Sequence, residues 1–389
     1  MSTVKALIGQ AVDRLADDLE ALSRKIHDHP ELAYQEVQAA AWLADYLTGQ
    51  GFAVERGVAG VDTAFRATMD TGSGPTIAIL CEYDALPAIG HACGHNIIAT
   101  AGAGAGAALA AVRDTLPAGR IQVIGTPAEE GGGGKIKLIQ GGIFEGVDVA
   151  MMIHGFDRWI LHQDLLGIVR VGFEFTGKAA HASADPWEGV NALDAVIQTF
   201  NNVSMLRQQV RPDARIHGIV TQGGAAPNII PEIAACTFYV RAPRLDDMWD
   251  LHRRVIACAE GAARATGCTL RVIDLEAPYE PLKRNDTLLG LFRANMAAIG
   301  AVESPPLADR MGSSDIGNVS QVIPAIQPMV QIAPHGTPIH SRAFEAAAVA
   351  PLARRGMCQS AKTLAMTTYD LLADPGLVKK ARAEFEAAK

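Results

Sequence analysis

The first part of the chain carries apolar residues at helical spacing. Seven of them recur every three or four positions and predict an amphipathic helix over residues 4–27. They are Val4, Ile8, Val12, Leu15, Leu19, Leu22 and Ile26. Pro30 interrupts this pattern, and a second helix is predicted to end near Thr48, because Gly49 and Gly51 follow it.

Short apolar runs after these helices predict a buried sheet. Residues 76–81 form a continuous, partly β-branched run, which is typical of a parallel strand buried on both faces. A helix of small residues is predicted to follow over residues 97–112. The other strands of this sheet are predicted at residues 52–56, 63–69, 120–125 and 147–153.

The pattern changes in the middle of the chain, where strands alternate apolar and polar residues as in a sheet with one solvated face. The element order β-α-β-β-α-β predicts a ferredoxin-like α+β domain inserted at residues 167–277. We expect residues 1–166 and 278–389 to form an α/β domain with a central mixed sheet flanked by helices. The predicted elements of the insert are residues 168–177, 189–210, 216–222, 234–242, 245–266 and 269–275.

After the insert, the α/β pattern resumes. A helix is predicted over residues 287–299 and a strand around residues 324–329. Two further helices, beginning near Glu345 and Gly376, are predicted to close the chain.

Metal-ligand types occur in the loop after the predicted strand at residues 76–81. Cys93 and His95 present a thiol and an imidazole two residues apart, and sulfur and nitrogen together favour zinc among the common ions. Alone, this pair is also typical of a buried cysteine beside a histidine that bonds within the protein. The prediction of a metal site therefore depends on further ligands.

Such ligands follow three predicted strands at their carboxyl ends. Glu82 and Asp84 follow the first, Glu129 and Glu130 follow the second, and His154 follows the third. In open α/β sheets, ligands and catalytic groups collect at that edge of the sheet. We therefore expect these five side chains to converge with the Cys-x-His pair.

The adjacent glutamates suit the two tasks of metal-dependent hydrolysis. Such a site needs ligands with open positions and a separate carboxylate that accepts a proton from water. One of Glu129 and Glu130 can bind the metal while the other acts as the base. A C-terminal histidine, His335 or His340, completes the candidate set.

Two glycine-rich runs do not fit the patterns of nucleotide binding. The alternating glycines at residues 101–106 lie inside a predicted helix, whereas a dinucleotide fingerprint lies between a strand and a helix. Close packing of that helix on the sheet accounts for them better than a dehydrogenase does. The run at residues 131–134 is not a P-loop, because no Ser or Thr follows Lys135.

Composition narrows the function further. The 389 residues are 49% hydrophobic and 20% charged, which is typical of globular domains. A net charge of −8 without a basic block argues against a nucleic-acid partner, and the chain has no apolar run of about 18 residues that would span a membrane. The six scattered cysteines and the lack of a signal-peptide pattern lead us to expect a cytoplasmic protein.

Nine motifs, in order over nearly the whole length, resemble the aminoacylase and carboxypeptidase-G type metallopeptidases, the peptidase M20 family. The chain is most similar to its amidohydrolase branch, near aminobenzoyl-glutamate hydrolases, β-alanyl dipeptidases and N-acyl amino acid hydrolases. The motifs are His29-Pro30-Glu31-Leu32, Tyr83-Asp84-Ala85-Leu86-Pro87, His91-Ala92-Cys93-Gly94-His95, Pro127-Ala128-Glu129-Glu130, His154-Gly155, His181-Ala182-Ser183, Asn191-Ala192-Leu193-Asp194-Ala195, Gly312-Ser313-Ser314-Asp315 and His340-Ser341.

The resemblance implies a two-metal site with five protein ligands. These are Cys93, His95, Glu130, His154 and His340. The thiolate favours Zn²⁺, and Mn²⁺ and Co²⁺ remain open because family members are often assayed with them. The His-Ser pair at residues 340–341 favours His340 over His335 as the last ligand.

The resemblance also implies the remaining roles. Glu129 would be the general base, and Asp84 would orient a ligand. The insert would be a lid and dimerisation domain from which His181 reaches the active site of the partner in a homodimer and stabilises the oxyanion. Asn228 and Arg241 would hold the carboxylate of the substrate.

The implied activity is metal-dependent hydrolysis of the amide bond in small N-acyl or aminoacyl amino acids. A dipeptidase or a carbamoyl-amide hydrolase on the same scaffold is the alternative, and a non-catalytic binding protein is a remote one because every ligand and the base are present. The chain departs from many relatives at Asn96, where they carry Asp, and at Tyr83, where they carry Met. The change at Asn96 leaves the ligands themselves in place.

Overall fold

The computed structural model describes residues 2–308 and 311–388. Its strands are β1 (Ala53–Arg56), β2 (Phe65–Asp70), β3 (Thr76–Cys81), β4 (Arg120–Gly125), β5 (Val149–Met151), β6 (His154–Phe156), β7 (Gly167–Thr176), β8 (Arg215–Gln222), β9 (Ile233–Ala242), β10 (Thr269–Asp274), β11 (Ala325–Ile326) and β12 (Met329–Gln331). Its α-helices are α1 (Thr3–His27), α2 (Val37–Gly49), α3 (His95–Ala110), α4 (Gly134–Gln140), α5 (Ala192–Leu206), α6 (Leu245–Thr266), α7 (Asp286–Ala298), α8 (Ile316–Val322), α9 (Arg342–Ala347), α10 (Pro351–Ala373) and α11 (Pro375–Ala387).

The chain divides into two compact units. One comprises Met1–Gln163 and Leu282–Lys389, and the other comprises Asp164–Pro281. None of the helices in the described part of the chain is long and apolar enough to cross a membrane.

A six-stranded sheet forms the centre of the first unit, in the order β1-β2-β4-β3-β5-β11. The strands β4, β3, β5 and β11 pair in parallel, whereas β1 and β2 are antiparallel to their neighbours. Every residue of β3 is buried, as its continuous apolar run predicts. The predicted α/β class with a central mixed sheet flanked by helices is therefore confirmed.

The small residues of α3 let this helix pack closely on the sheet and on α1. A Cβ atom added at Gly102 would lie 2.5 Å from Cys81 Sγ, and one at Gly106 would lie 2.6 Å from Val123 Cγ2. At Gly104 the added atom would lie 2.7 Å from a methyl group of Leu19. Close packing, as predicted, accounts for these glycines.

The second unit has the predicted β-α-β-β-α-β order, formed by β7, α5, β8, β9, α6 and β10. Its sheet is antiparallel throughout in the order β10-β7-β9-β8, so β8 lies at an edge. Phe173, Phe175 and Phe238 lie in the core between this sheet and its two helices.

Several predicted boundaries are wrong. The strand expected at residues 147–153 covers only β5, and His154 instead opens β6, which pairs with β12 in a separate two-stranded sheet. The helix expected from Glu345 is two helices, α9 and α10, because Pro351 lacks the N–H needed inside a helix and begins a new one. The short helices α4 and α8 were not predicted.

Candidate metal centre

Ligand-type side chains meet where β3 and β4 end. Glu82 and Asp84 follow β3, Glu129 and Glu130 follow β4, and His95 is the first residue of α3. Four overlapping sets have candidate ligand atoms within 4.8 Å of one another. The sets are Cys93 with His95 and His154, Cys93 with Glu130 and His340, His95 with Glu129 and Glu130, and Glu82 with Glu129 and Asp315. The structure thus brings together all five predicted ligands and the predicted base.

Hydrogen bonds at Nδ1 fix the orientation of two of the candidate histidine ligands. His95 Nδ1 lies 2.8 Å from the Asp84 carbonyl oxygen and 3.1 Å from Asp84 Oδ1, and His154 Nδ1 lies 2.9 Å from the Gly155 carbonyl oxygen. All three partners accept hydrogen bonds, so Nδ1 carries the proton in both rings. With Nδ1 protonated, the neutral form of each ring has its lone pair on Nε2, the atom that can bind a metal.

The facing atoms are spaced for a shared ion. Cys93 Sγ lies 3.4 Å from His154 Nε2 and 3.5 Å from His340 Nε2, and Glu130 Oε1 lies 3.7 Å from His340 Nε2 and 3.8 Å from His95 Nε2. Among the residues that the structure describes, His95 Nε2 and Glu130 Oε1 are buried without a hydrogen-bond partner. Such atoms are costly unless something binds them. With their sulfur, nitrogen and oxygen donors, these residues fit a divalent metal.

The pKa shifts follow from burial and crowding of acids. Burial, with the charges of Glu82 and Glu130, raises the pKa of Glu129 well above its usual range. Burial likewise raises the pKa of Cys93, so a bound cation is needed to make the thiolate its stable form. Burial opposes ionisation of Asp84, but His95 outweighs it and lowers the pKa of that carboxyl.

The loop that carries the paired glutamates is held by side chains of the segment just before α2. Ala128 has a positive φ of 61°, and its N–H donates to Oε1 of the fully buried Glu36 at 2.8 Å. Tyr34 donates its hydroxyl to the Gly132 carbonyl oxygen at 2.7 Å. No pattern in the sequence marks Glu36 or Tyr34 as a site residue. A positive φ is uncommon for alanine, so the sequence gives no sign of the turn at Ala128 that these two side chains hold.

A buried lysine was also missed. The Lys135 ammonium pairs with the carboxylates of Glu82 and Asp315, which form one of the four ligand sets together with Glu129. The four glycines before it do not form a P-loop, because no Ser or Thr follows Lys135, and they give no sign of a buried charge. Asp315 belongs to the Gly312-Ser313-Ser314-Asp315 motif, which by itself indicates no role for this side chain.

The substrate-side candidates lie in the second unit. His181 Nδ1 accepts N–H groups of Ser183 at 3.3 Å and Ala184 at 3.2 Å, so the proton of the neutral ring is on Nε2. The neighbouring Ala182 N–H donates to the Asn228 carbonyl oxygen, which brings the segments of His181 and Asn228 together. Arg241 lies on β9 and is half-buried, and burial and the charge of Arg170 lower its pKa.

Two other histidines, His29 and His335, have different surroundings. His29 Nδ1 lies 2.8 Å from the Lys25 carbonyl oxygen, and its ring meets Trp42 edge-on, as a histidine in a helix corner does. His335 is exposed and belongs to none of the four ligand sets in the described part of the chain.

The two departures from relatives are accommodated locally. Asn96 Nδ2 donates to Ser23 Oγ and to the Ala348 carbonyl oxygen, both at 3.0 Å. A carboxylate cannot donate to a carbonyl, so this position is built for an amide. Tyr83 is fully buried and donates its hydroxyl to the Thr63 carbonyl oxygen at 2.6 Å.

Comparison with known proteins gives matches over nearly the whole chain. Residues 58–355 match the sequence model of Peptidase family M20/M25/M40. The chain is 39% identical to a Xaa-Arg dipeptidase of Mus musculus, over 99% of this chain and 93% of that protein. It is 29% identical to a subunit of the p-aminobenzoyl-glutamate hydrolase of Escherichia coli (strain K12), over 99% of this chain and 95% of that protein. A solved Bacillus subtilis structure, described as a dinuclear metal binding peptidase from M20 family, superposes with a TM-score of 0.71 at 22% identity, over 92% of this chain and 99% of that chain.

Proposed function

The chain belongs to peptidase family M20/M25/M40, and we propose that it is a metal-dependent amidohydrolase that cleaves the amide bond of small N-acyl or aminoacyl amino acids. One observation carries this proposal. Histidine nitrogen, cysteine sulfur and glutamate oxygen atoms converge within 4.8 Å of one another beside the buried Glu129, in the arrangement that hydrolysis by an activated water needs. The dipeptidase and hydrolase relatives support the same bond type.

Two divalent ions per chain are proposed, held by the five predicted ligands. The ligands are Cys93, His95, Glu130, His154 and His340. The description of the B. subtilis structure as dinuclear supports the number. The thiol among the ligands favours Zn²⁺, with Mn²⁺ and Co²⁺ as alternatives.

The residues around these ligands supply the remaining chemistry. Divalent ions held by these five ligands would lower the pKa of water and polarise the amide carbonyl. Glu129 accepts a proton as the water oxygen bonds to the carbonyl carbon, and it returns the proton to the nitrogen as the C–N bond breaks. Asp84 keeps the His95 ring in the tautomer that leaves Nε2 unprotonated.

The second unit is proposed to complete the site as a lid and dimerisation domain. The Nε2–H of His181 of the partner subunit would donate to the oxyanion, while Asn228 and Arg241 bind the substrate carboxylate. The edge strand β8 supports dimerisation, because Ile219 and Val220 on it are 66% and 48% exposed. Light scattering of the full chain should give a molar mass twice that of one chain, and a single-chain mass at micromolar concentration would contradict the dimer.

A cytoplasmic location is proposed from the cysteines. All six are free in the structure. Scattered free thiols suit a reducing compartment.

A dipeptidase is the second candidate, favoured by a specific observation. The 39% identical Mus musculus relative, matched over 99% of this chain, is a Xaa-Arg dipeptidase. On this proposal, the substrate is a dipeptide with a basic C-terminal residue, and hydrolysis uses the same ligands and base.

The test is hydrolysis of a mixed panel followed by mass spectrometry. The panel contains N-acyl amino acids, aminobenzoyl-glutamate, β-alanyl dipeptides, Xaa-Arg dipeptides and carbamoyl amino acids, each with Zn²⁺, Mn²⁺ or chelator. Metal-dependent release of a free amino acid supports the proposal and identifies the preferred acyl group. No turnover by folded, metal-loaded protein would favour a binding role instead.

Glu129→Gln is the matched variant for this experiment. We expect turnover to fall below about 10⁻³ of the wild type, because the base is lost, with metal content unchanged. Elemental analysis measures the metal. Loss of metal in this variant would reassign Glu129 as a ligand.

A further inference from the structure

Lys135 is a fully buried cation at the wall of the candidate metal centre. It lies in the first turn of α4, and its side chain has no exposed surface. Its Nζ donates to Glu82 Oε1 at 2.5 Å and to Asp315 Oδ1 at 2.6 Å, and its backbone N–H donates to Asp315 Oδ2 at 3.0 Å. Lysine is almost never fully buried unless it is paired in this way.

A contribution to folding stability does not by itself explain the buried ion group of Lys135, Glu82 and Asp315. Glu82 follows β3, Lys135 lies in the first turn of α4, and Asp315 directly precedes α8, so three separate segments each deliver one charge. Apolar residues of similar volume often replace a buried ion group without loss of stability, because desolvation of the charges offsets their attraction. The three buried charges beside the candidate ligands therefore indicate a role in the chemistry of the site.

The role concerns Glu129. Carboxylate oxygens of Glu82, Glu129 and Asp315 lie within 4.8 Å of one another. The second oxygen of Glu82 is 3.6 Å from His95 Nε2, so the same carboxylate also faces a candidate ligand.

Charge balance shows what the lysine changes. Without it, Glu82 and Asp315 would present two negative charges to Glu129, and three such carboxylates repel one another strongly in a buried site. With Lys135 the pair presents one net negative charge. The ammonium is covalently part of the chain, so it neither dissociates nor exchanges as a metal ion can.

We propose that Lys135 is a positioning residue for Glu129, a permanent buried cation that fixes the Glu82 and Asp315 carboxylates against which the Glu129 side chain is placed. This inference deepens the proposed function, since it rests on Glu129 as the base. Lys135 is fully buried and acts through these carboxylates without touching the substrate.

The experiment compares Lys135→Met, which removes the charge, with Lys135→Arg, which keeps it. Lys379→Met on the exposed face of α11 is the matched control for loss of one lysine. For Lys135→Met we expect kcat to fall about 100-fold with KM within about threefold and metal content unchanged, because a misplaced base impairs the reaction and not substrate binding. Lys135→Arg should recover kcat to within about tenfold of the wild type, and the control should match the wild type.

Crystal structures give a readout that does not depend on activity. The Glu129 carboxylate should leave its place beside Glu82 and Asp315 in Lys135→Met and keep it in Lys135→Arg. An unmoved Glu129, a kcat within threefold of the wild type, or loss of metal in parallel with kcat would each overturn the proposal.

A milder variant guards against failure to fold. Asp315→Asn leaves Lys135 paired with Glu82, and we expect a kcat about tenfold lower with a displaced Glu129. An unchanged kcat and an unmoved Glu129 there would also overturn the proposal. If the wild type cleaves no amide in the panel, the proposed function fails, while the position of Glu129 still tests Lys135.

Discussion

Replacing Glu36 with Gln should remove a pH-dependent loss of stability. Glu36 is fully buried, and one oxygen accepts the Ala128 N–H. Burial raises the pKa of this carboxyl from its usual 4.5 to about 7, and the charge of Asp84 adds to the shift. Glutamine keeps an acceptor for Ala128 and has no charge to desolvate.

The sign follows from proton binding. Below pH 4.5, Glu36 is protonated in both the folded and the unfolded chain. Between pH 4.5 and about 7 the folded protein keeps the proton that the unfolded chain releases, so the stability of the wild type falls as pH rises. Above that range both forms are ionised and the loss is complete.

The magnitude follows from the two pKa values. Their difference of about 2.5, at about 1.36 kcal/mol each, corresponds to about 3.4 kcal/mol in total. Roughly 2.5 kcal/mol of it falls between pH 5 and pH 8. Glu36→Gln should therefore gain about that much stability relative to the wild type when the pH is raised from 5 to 8.

The assay is urea unfolding of both proteins at the two pH values, with chelator present so that metal binding does not contribute. Glu145→Gln is the control, because Glu145 is exposed and its removal should change the unfolding free energy by less than about 0.5 kcal/mol at either pH. A wild-type to Glu36→Gln difference that is equal at pH 5 and pH 8 would refute the reasoning, because it would mean that Glu36 ionises normally.

Two further predictions concern the glutamate loop and the last ligand. Gly134→Ala should destabilise the chain by about 2 kcal/mol or more and impair hydrolysis, because the added Cβ would overlap the Pro127 carbonyl oxygen. Gly131→Ala is the control and should behave as the wild type, because a Cβ added there meets nothing within 4 Å. Thermal unfolding and the panel assay measure both. His340→Ala should weaken metal binding at least about tenfold, whereas His335→Ala should leave it unchanged. Chelator competition measures both affinities, and equal affinities in the two variants would contradict the assignment of His340 as a ligand.

Most of the secondary structure was predictable because it depends on local pattern. The helix expected at residues 245–266 is α6, and the strand expected at residues 76–81 is β3. Errors occur where the local signal is short. The helix α4 has seven residues and begins in the four-glycine run, and β5 has three, too few for a hydrophobic period to mark their ends.

The candidate site was predictable where its residues are neighbours in the chain. Cys93 and His95 are two positions apart and the two glutamates are adjacent, so chemistry and spacing selected them. His340 is 247 residues from Cys93, and only the resemblance to a family singled it out from His335. In the structure His340 Nε2 is 3.5 Å from Cys93 Sγ.

The sequence by itself determined the α/β class, the order of the inserted domain and the residue types that can bind a metal, since these follow from periodicity and side-chain chemistry. Only the tertiary structure decided which distant groups share a buried site. Lys135 and Asp315 are 180 residues apart and pair at 2.6 Å, and Glu36 meets Ala128 across 92 residues. Such pairs form because a buried polar or charged group must find a partner, and packing decides which partner, which no local pattern encodes.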